Sequence, residues 1–175
     1  MTHSQRLWVD EIAKPEVKKL QVPGTVPVTL GVKGMYNIVP IDQGLRAFKA
    51  AMDKREDQSI PTDFLLKIMR FVASSNFFVF NRKLFLQLLG VAMGSRSSPT
   101  FACIFMGMVE LLMLFQWHEV GGLDPKMWKR FIDNIFFWQG SESDLLRFIN
   151  HINSCHYHKI LIPARRIIQF YNPLN

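Results

Sequence analysis

Between Phe101 and Trp117 the chain is almost continuously apolar, with Glu110 in its middle. A helix of that composition needs cover on most of its circumference. The stretch falls short of the ~20 residues that span a bilayer, and a carboxylate at mid-span is costly there. The expectation is a buried core helix from Ser97 to Trp117 and no membrane partner. Pro99 falls near the first turn, where a missing N–H costs nothing. The nine methionines, Met106, Met108 and Met113 among them, read as core filler. A chain of 175 residues suits one domain or a fragment of a larger one. It can bury roughly 70% of its extended surface. With 49% apolar and 20% charged residues, wholesale disorder is excluded.

The remaining elements follow from periodicity. Val28, Leu30 and Val32 alternate with Thr29 and Gly31, which is a strand pattern. Gly44 to Arg55 reads as a helix with Leu45, Phe48 and Met52 on one face. Thr62 is placed to cap a second helix carrying Phe64, Leu65, Ile68 and Phe71. Phe77–Phe80 and Leu84–Gln87 read as a hairpin with a three-residue turn, Asn81-Arg82-Lys83. Arg130 to Trp138 is strand-like with Asp133-Asn134 as a turn candidate. Ser141 and Asp144 resemble a capping box before Leu145, Phe148, Ile149 and Ile152. Non-alternating strands and helices in this order predict an α+β fold with helices on one face of an antiparallel sheet. Residues 1–27 read as a peripheral segment, because Pro15, Pro23, Gly24 and Pro27 interrupt any helix begun between Gln5 and Leu20.

The surplus of basic residues gives a net charge of +7, which favours an anionic partner, nucleic acid before membrane. Cys103 and Cys155 are far apart, and Met1 to Asp10 lacks an apolar core of the signal-peptide kind. An intracellular location, nuclear or cytoplasmic, is expected. His151, His156 and His158 with Cys155 lack a second ligand pair, so zinc is not expected.

Three segments carry more than composition. They are Leu30-Gly31-Val32-Lys33-Gly34-Met35-Tyr36-Asn37-Ile38-Val39-Pro40, then Gln87-Leu88-Leu89-Gly90-Val91-Ala92-Met93-Gly94-Ser95-Arg96-Ser97-Ser98-Pro99 running on through Phe105-Met106-Gly107, then Arg130-Phe131-Ile132-Asp133-Asn134-Ile135-Phe136-Phe137 followed by Gly140-Ser141-Glu142. In this order and spacing they resemble the palm of reverse transcriptases, specifically the Penelope-like retroelement group, over about residues 28–154. The resemblance implies RNA-directed DNA synthesis on an RNA template and a DNA primer, or binding of their hybrid, with Mg²⁺ as cofactor. Two-metal nucleotidyl transfer places two ions ~3.5–4 Å apart between carboxylates. The family places one such Asp at the end of the first palm strand and an Asp pair at the turn of the central hairpin.

Here the chain departs from that pattern. Gly31 occupies the first position, and Asp133-Asn134 replaces the pair. Asp133 is the one expected catalytic and metal-binding carboxylate that survives, while Gly31 and Asn134 are degenerate metal positions. One carboxylate cannot fix two ions, so an impaired or inactive polymerase is expected. Asp42 opens the next helix and reads as a helix-dipole partner. Glu110 reads as a buried or edge carboxylate paired with a cation.

The resemblance also implies roles for other residues. Tyr36 would be the aromatic gate under the incoming sugar. Met93, Gly94, Arg96, Ser98 and Pro99 would form the template and nucleotide wall, where glycines allow close backbone approach and a helix start faces anions. Without the resemblance, Tyr36 would be a core aromatic and Arg96 a solvated charge. Lys126, Lys129 and Arg130, with Lys159, Arg165 and Arg166, are candidate phosphate contacts.

Residues 155–175 read as a truncated C-terminal extension. Too few residues flank the palm for full fingers or a thumb, and no nuclease motif follows. Two further readings stay open beside the impaired polymerase. One is a non-catalytic, basic nucleic-acid-binding module, and the other is a retroelement relic without a selected role.

Overall fold

The computed structural model describes residues 26–32, 34–125, 127–154 and 168–170. The elements run β1 (Val26–Val32), α1 (Met35–Ile38), α2 (Ile41–Met52), α3 (Thr62–Ser74), β2 (Phe77–Phe80) and β3 (Lys83–Leu86). They continue with α4 (Ser98–Glu119), β4 (Met127–Phe131), β5 (Asn134–Gln139), α5 (Glu142–Ser154) and β6 (Ile168–Phe170). The fold is α+β with antiparallel sheets, as the periodicity predicts. The readings that concern residues 1–25, and the C-terminal basic residues and histidines beyond 154, lie outside the described residues. The chain forms two compact units.

The first unit contains β1, β4, β5, β6, α5 and the C-terminal end of α4 from Met113. Its sheet has the order β4-β5-β1-β6, antiparallel throughout, with Gly31 opposite Asn134 and Leu30 opposite Ile135. Leu30, Val32 and Ile135 are buried, as are Leu145, Phe148, Ile149 and Ile152 of α5. That spacing on α5 is one helical face. Phe148 holds the helix to its neighbours: its ring lies 5.9 Å edge-on from Trp128 and 5.2 Å edge-on from Trp117. Trp117 is fixed in turn, because its indole N–H donates to the Leu123 carbonyl at 2.8 Å. The start of α5 is capped as its sequence predicts. Ser141 Oγ accepts from the Asp144 amide at 3.3 Å and donates to Asp144 Oδ2 at 2.6 Å.

The second unit contains α1, α2, α3, the β2–β3 hairpin and α4 up to Leu112. Helix α2 begins at Ile41, directly after Pro40, rather than at Gly44. Gly44 is an interior residue of α2, where close packing leaves no room for a side chain. A Cβ there would lie 2.5 Å from the Phe101 ring. Thr62 is the first residue of α3 and makes no side-chain cap. Its hydroxyl instead accepts from Arg55 at 3.2 Å. The β2–β3 turn has two residues, not three. Asn81 and Arg82 both have positive φ, and Phe80 pairs with Lys83. Two left-handed residues are the turn geometry that matches strand twist.

Helix α4 is the long apolar helix, extended to Glu119. Phe101, Ala102, Phe105, Met106, Val109, Met113 and Trp117 form its buried stripe, and Glu110 is half-buried. Leu111, Leu112 and Phe115 are exposed. Among the described residues this is the one helix long and apolar enough to cross a membrane.

Candidate functional site

In the first unit the last residues of β1 meet the turn between β4 and β5. The turn residues are Ile132 and Asp133, and Asn134 is already the first residue of β5, so the turn lies one residue earlier than the Asp133-Asn134 dipeptide suggests. Ile132 sits at φ +55, a conformation that β-branched residues rarely hold. Arg130 supports this bend by donating to the Ile132 carbonyl at 3.1 Å. The Asp133 carbonyl accepts from the Val32 amide at 2.7 Å, which ties the turn to the end of β1. Asp133 therefore stands beside Gly31, as the palm reading requires.

The side chains at this junction set its chemistry. Asp133 is half-buried, and its Oδ1 accepts from the Asn134 amide at 2.9 Å. The amide satisfies one carboxylate oxygen without supplying charge. At Gly31 there is open space: no atom lies within 4 Å of an added Cβ. The donor set is thus one carboxylate and one amide already engaged with it. Mg²⁺ asks for hard oxygen ligands in near-octahedral array, and a two-ion clamp asks for several carboxylates. These residues do not fit a two-ion site. Among the described residues no group of three or more His, Cys, Asp or Glu side chains could hold a metal ion.

In the second unit the structure joins Tyr36 to the glycine-rich loop. Tyr36 is half-buried on α1, and its carbonyl accepts from the Val91 amide at 2.8 Å. Gly90, at φ +72, lies flat against this backbone, and a Cβ there would come within 2.4 Å of the Tyr36 carbonyl oxygen. Beyond it Met93, Gly94, Arg96 and Pro99 face solvent, whereas Ser98 is buried at 4% exposure. Ser95 and Ser97 share a hydroxyl hydrogen bond of 3.1 Å just before α4.

The other candidates are placed as follows. Asp42 lies in the first turn of α2, the position that the helix-dipole reading expects, and it also pairs with Arg70 at 2.9 Å. Lys129 is exposed and Arg130 half-buried. His151 packs on the Trp117 ring at 5.0 Å, with its Nε2 3.4 Å from the Met113 carbonyl.

Sequence reasoning missed one feature. A groove of about 600 Å³ runs along α2 and α3, and four of its lining side chains are cations. The signal was present: Asp42-x-x-Leu45-Arg46-x-x-Lys49 recurs as Asp63-x-x-Leu66-Lys67-x-x-Arg70. The repeat is in charge and spacing, not in identity, which hides it from inspection for similar residues.

No protein-family model and no curated protein matches this sequence. Solved structures do match. Apo telomerase from Candida tropicalis truncated from its C-terminal domain shares 13% identity at TM-score 0.62, over 93% of this chain and 33% of that one. Another apo telomerase structure from Candida tropicalis shares 14% identity at TM-score 0.62, over 84% of this chain and 28% of that one. Telomerase from Candida albicans, in complex with a TWJ fragment of telomeric RNA, shares 9% identity at TM-score 0.63, over 99% of this chain and 32% of that one. The chain spans about a third of the length of these telomerases, and the likeness is one of architecture: this chain has a reverse-transcriptase-like fold.

Proposed function

We propose that the chain is a reverse-transcriptase-like domain of the Penelope-like kind. Its ancestral chemistry is RNA-directed DNA synthesis by two-metal nucleotidyl transfer, and it has lost most or all of that activity. One observation carries the reading: Gly31 pairs directly with Asn134 beside Asp133, so the strand end and the turn meet with a single carboxylate between them. The loss follows from that donor set. Lewis-acid stabilisation worth several kcal/mol needs ions held on both sides of the reacting phosphorus.

What persists in this reading is recognition of nucleic acid, RNA template with DNA primer or their hybrid, by a basic intracellular chain. The net charge of +7 supports it, as does the likeness to a telomerase solved with RNA. Tyr36 serves as the sugar gate. Met93, Gly94, Arg96 and Pro99 line the template and nucleotide wall, with Ser98 beneath it. The same charge favours the second reading, a binding module with no catalysis at all.

Primer extension on an RNA template tests the first reading, with Mg²⁺ or Mn²⁺ supplied. No extension is expected from the unmodified chain, while an RNA–DNA hybrid binds with an affinity that falls as salt rises. Robust synthesis abolished by Asp133→Ala would overturn the loss of activity and leave the family assignment standing.

A further inference from the structure

The groove along α2 and α3 is built symmetrically. Each helix presents an Asp, a Leu three residues on, a cation at the fourth and another at the seventh, so all four share one face. The helices run antiparallel, since Asp42 near the start of α2 pairs with Arg70 near the end of α3. At the other end Lys49 pairs with Asp53 at 2.7 Å and also feels the charge of Asp63. The cations at both ends of the groove are therefore neutralised by carboxylates, Asp42 in its lining and Asp53 beside it. Those in its middle are not. Arg46 and Lys67 are exposed, and among the described residues neither has a carboxylate partner.

The walls are also held in place. The connection between the two helices is gathered by Arg55, which donates to the carbonyls of Met52, Asp57 and Ile60 and to the Thr62 hydroxyl. Leu45 and Leu66 form an apolar floor, with Leu45 buried. A narrow apolar floor under two cations that have no carboxylate ion-pair partner among the described residues suits a ligand that is anionic along one edge. A sugar–phosphate strand has that character.

We propose that this groove seats the phosphate backbone of a single nucleic-acid strand, with Arg46 and Lys67 contacting phosphates. Arg46 offers a planar fork for two phosphate oxygens, and Lys67 a point charge. The paired ends, Asp42–Arg70 and Lys49–Asp53, keep like charge from spreading along the groove and confine the attraction to its centre. The proposal rests on the nucleic-acid reading above but assigns it a surface remote in sequence from Asp133, Lys129 and Arg130.

The test is a salt titration of binding to a fluorescein-labelled single-stranded RNA, read by anisotropy, for the full chain and its Arg46→Glu/Lys67→Glu variant. Two lost phosphate contacts should lower the log–log salt slope by about 1.4 and weaken binding at least about fivefold at low salt. Arg46→Gln/Lys67→Gln, which removes charge without adding repulsion, should give the same slope change with circular dichroism unaltered. Arg46→Lys should retain most of the affinity. An unchanged slope in both double variants, with the parent binding RNA, overturns the groove alone. A folded parent that binds no strand overturns the nucleic-acid reading as well. A double variant that keeps RNA but loses poly-glutamate assigns the groove to acidic polypeptides and overturns the proposal.

Discussion

At the scale of single residues, Gly31 and Gly90 make opposite predictions. Gly31 has open space where a side chain would go, so Gly31→Asp should fold normally, with stability within about 1 kcal/mol of the parent. It would set a second carboxylate near Asp133, and calorimetric titration should then find tighter divalent-ion binding. Asn134→Asp alone should do much less, because it adds charge on the side Asp133 already serves and removes the amide that donates to it. Gly90→Ala carries both a left-handed backbone and a collision with the Tyr36 carbonyl. It should cost at least about 2 kcal/mol in chemical denaturation. Gly94→Ala, at φ +96 in open space, carries only the backbone part, about 1 kcal/mol. From the sequence Gly31 could be read only through the resemblance, which expects a metal-binding Asp at that place in the motif. The sequence could not reveal that Gly90 is there for Tyr36, since that closeness arises only when distant segments pack.

At the scale of elements, the β2–β3 hairpin and the link between α2 and α3 are the informative pieces. Asn81 and Arg82 occupy a turn in which both residues are left-handed. Asn adopts this at less cost than Arg, so Arg82→Gly should stabilise the hairpin by about 0.5–1 kcal/mol, measurable as a rise in Tm. In the α2–α3 link, the Lys49 ammonium holds the Asp53 carboxyl below its usual range, and the Ser59 amide does the same for Asp57. Lys49 is raised in return by its bond to Asp53. The carboxylate contributions are therefore full above the unfolded value of about 3.9 and are lost as pH falls through the depressed folded values. The Lys49 contribution is full below about 10.4 and is lost as pH rises through its raised value. The protection factor of the Ser59 amide, its exchange slowed relative to the intrinsic rate at the same pH, should be level above the unfolded carboxyl value and fall on the acid side as Asp57 protonates. Most element types could be read from periodicity. Their edges could not, where tertiary demands intervened: Phe101 needed Gly44 inside α2, Arg55 took the Thr62 hydroxyl from its cap, and Asn134 was drawn into β5 by pairing with Gly31.

At the scale of the whole molecule, charge and apolar surface pull against each other. The chain carries +7, yet Phe77 to Phe80, Leu84 to Leu86, Leu88 and Leu89 are all exposed. Exposed apolar strands invite association, and basic side chains resist it. Leu88→Lys/Leu89→Lys should reduce light scattering at high concentration and leave the thermal midpoint nearly unchanged, because these side chains are 76% and 77% exposed. The apolar content of these segments was plain in the sequence, but whether another element covers them was not. The same limit applies to the Asp133 junction, whose chemistry could be read from three residues while its one-residue shift of turn could not. The hydrogen bond from Asn134 to Asp133 also sets an order for adding charge at this junction. If Asp is introduced first at residue 134, two neighbouring anions face each other with the amide gone. If it is introduced first at residue 31, the amide is still there to soften the new charge. Building up carboxylates here therefore works as a ratchet with one easy direction, residue 31 before residue 134.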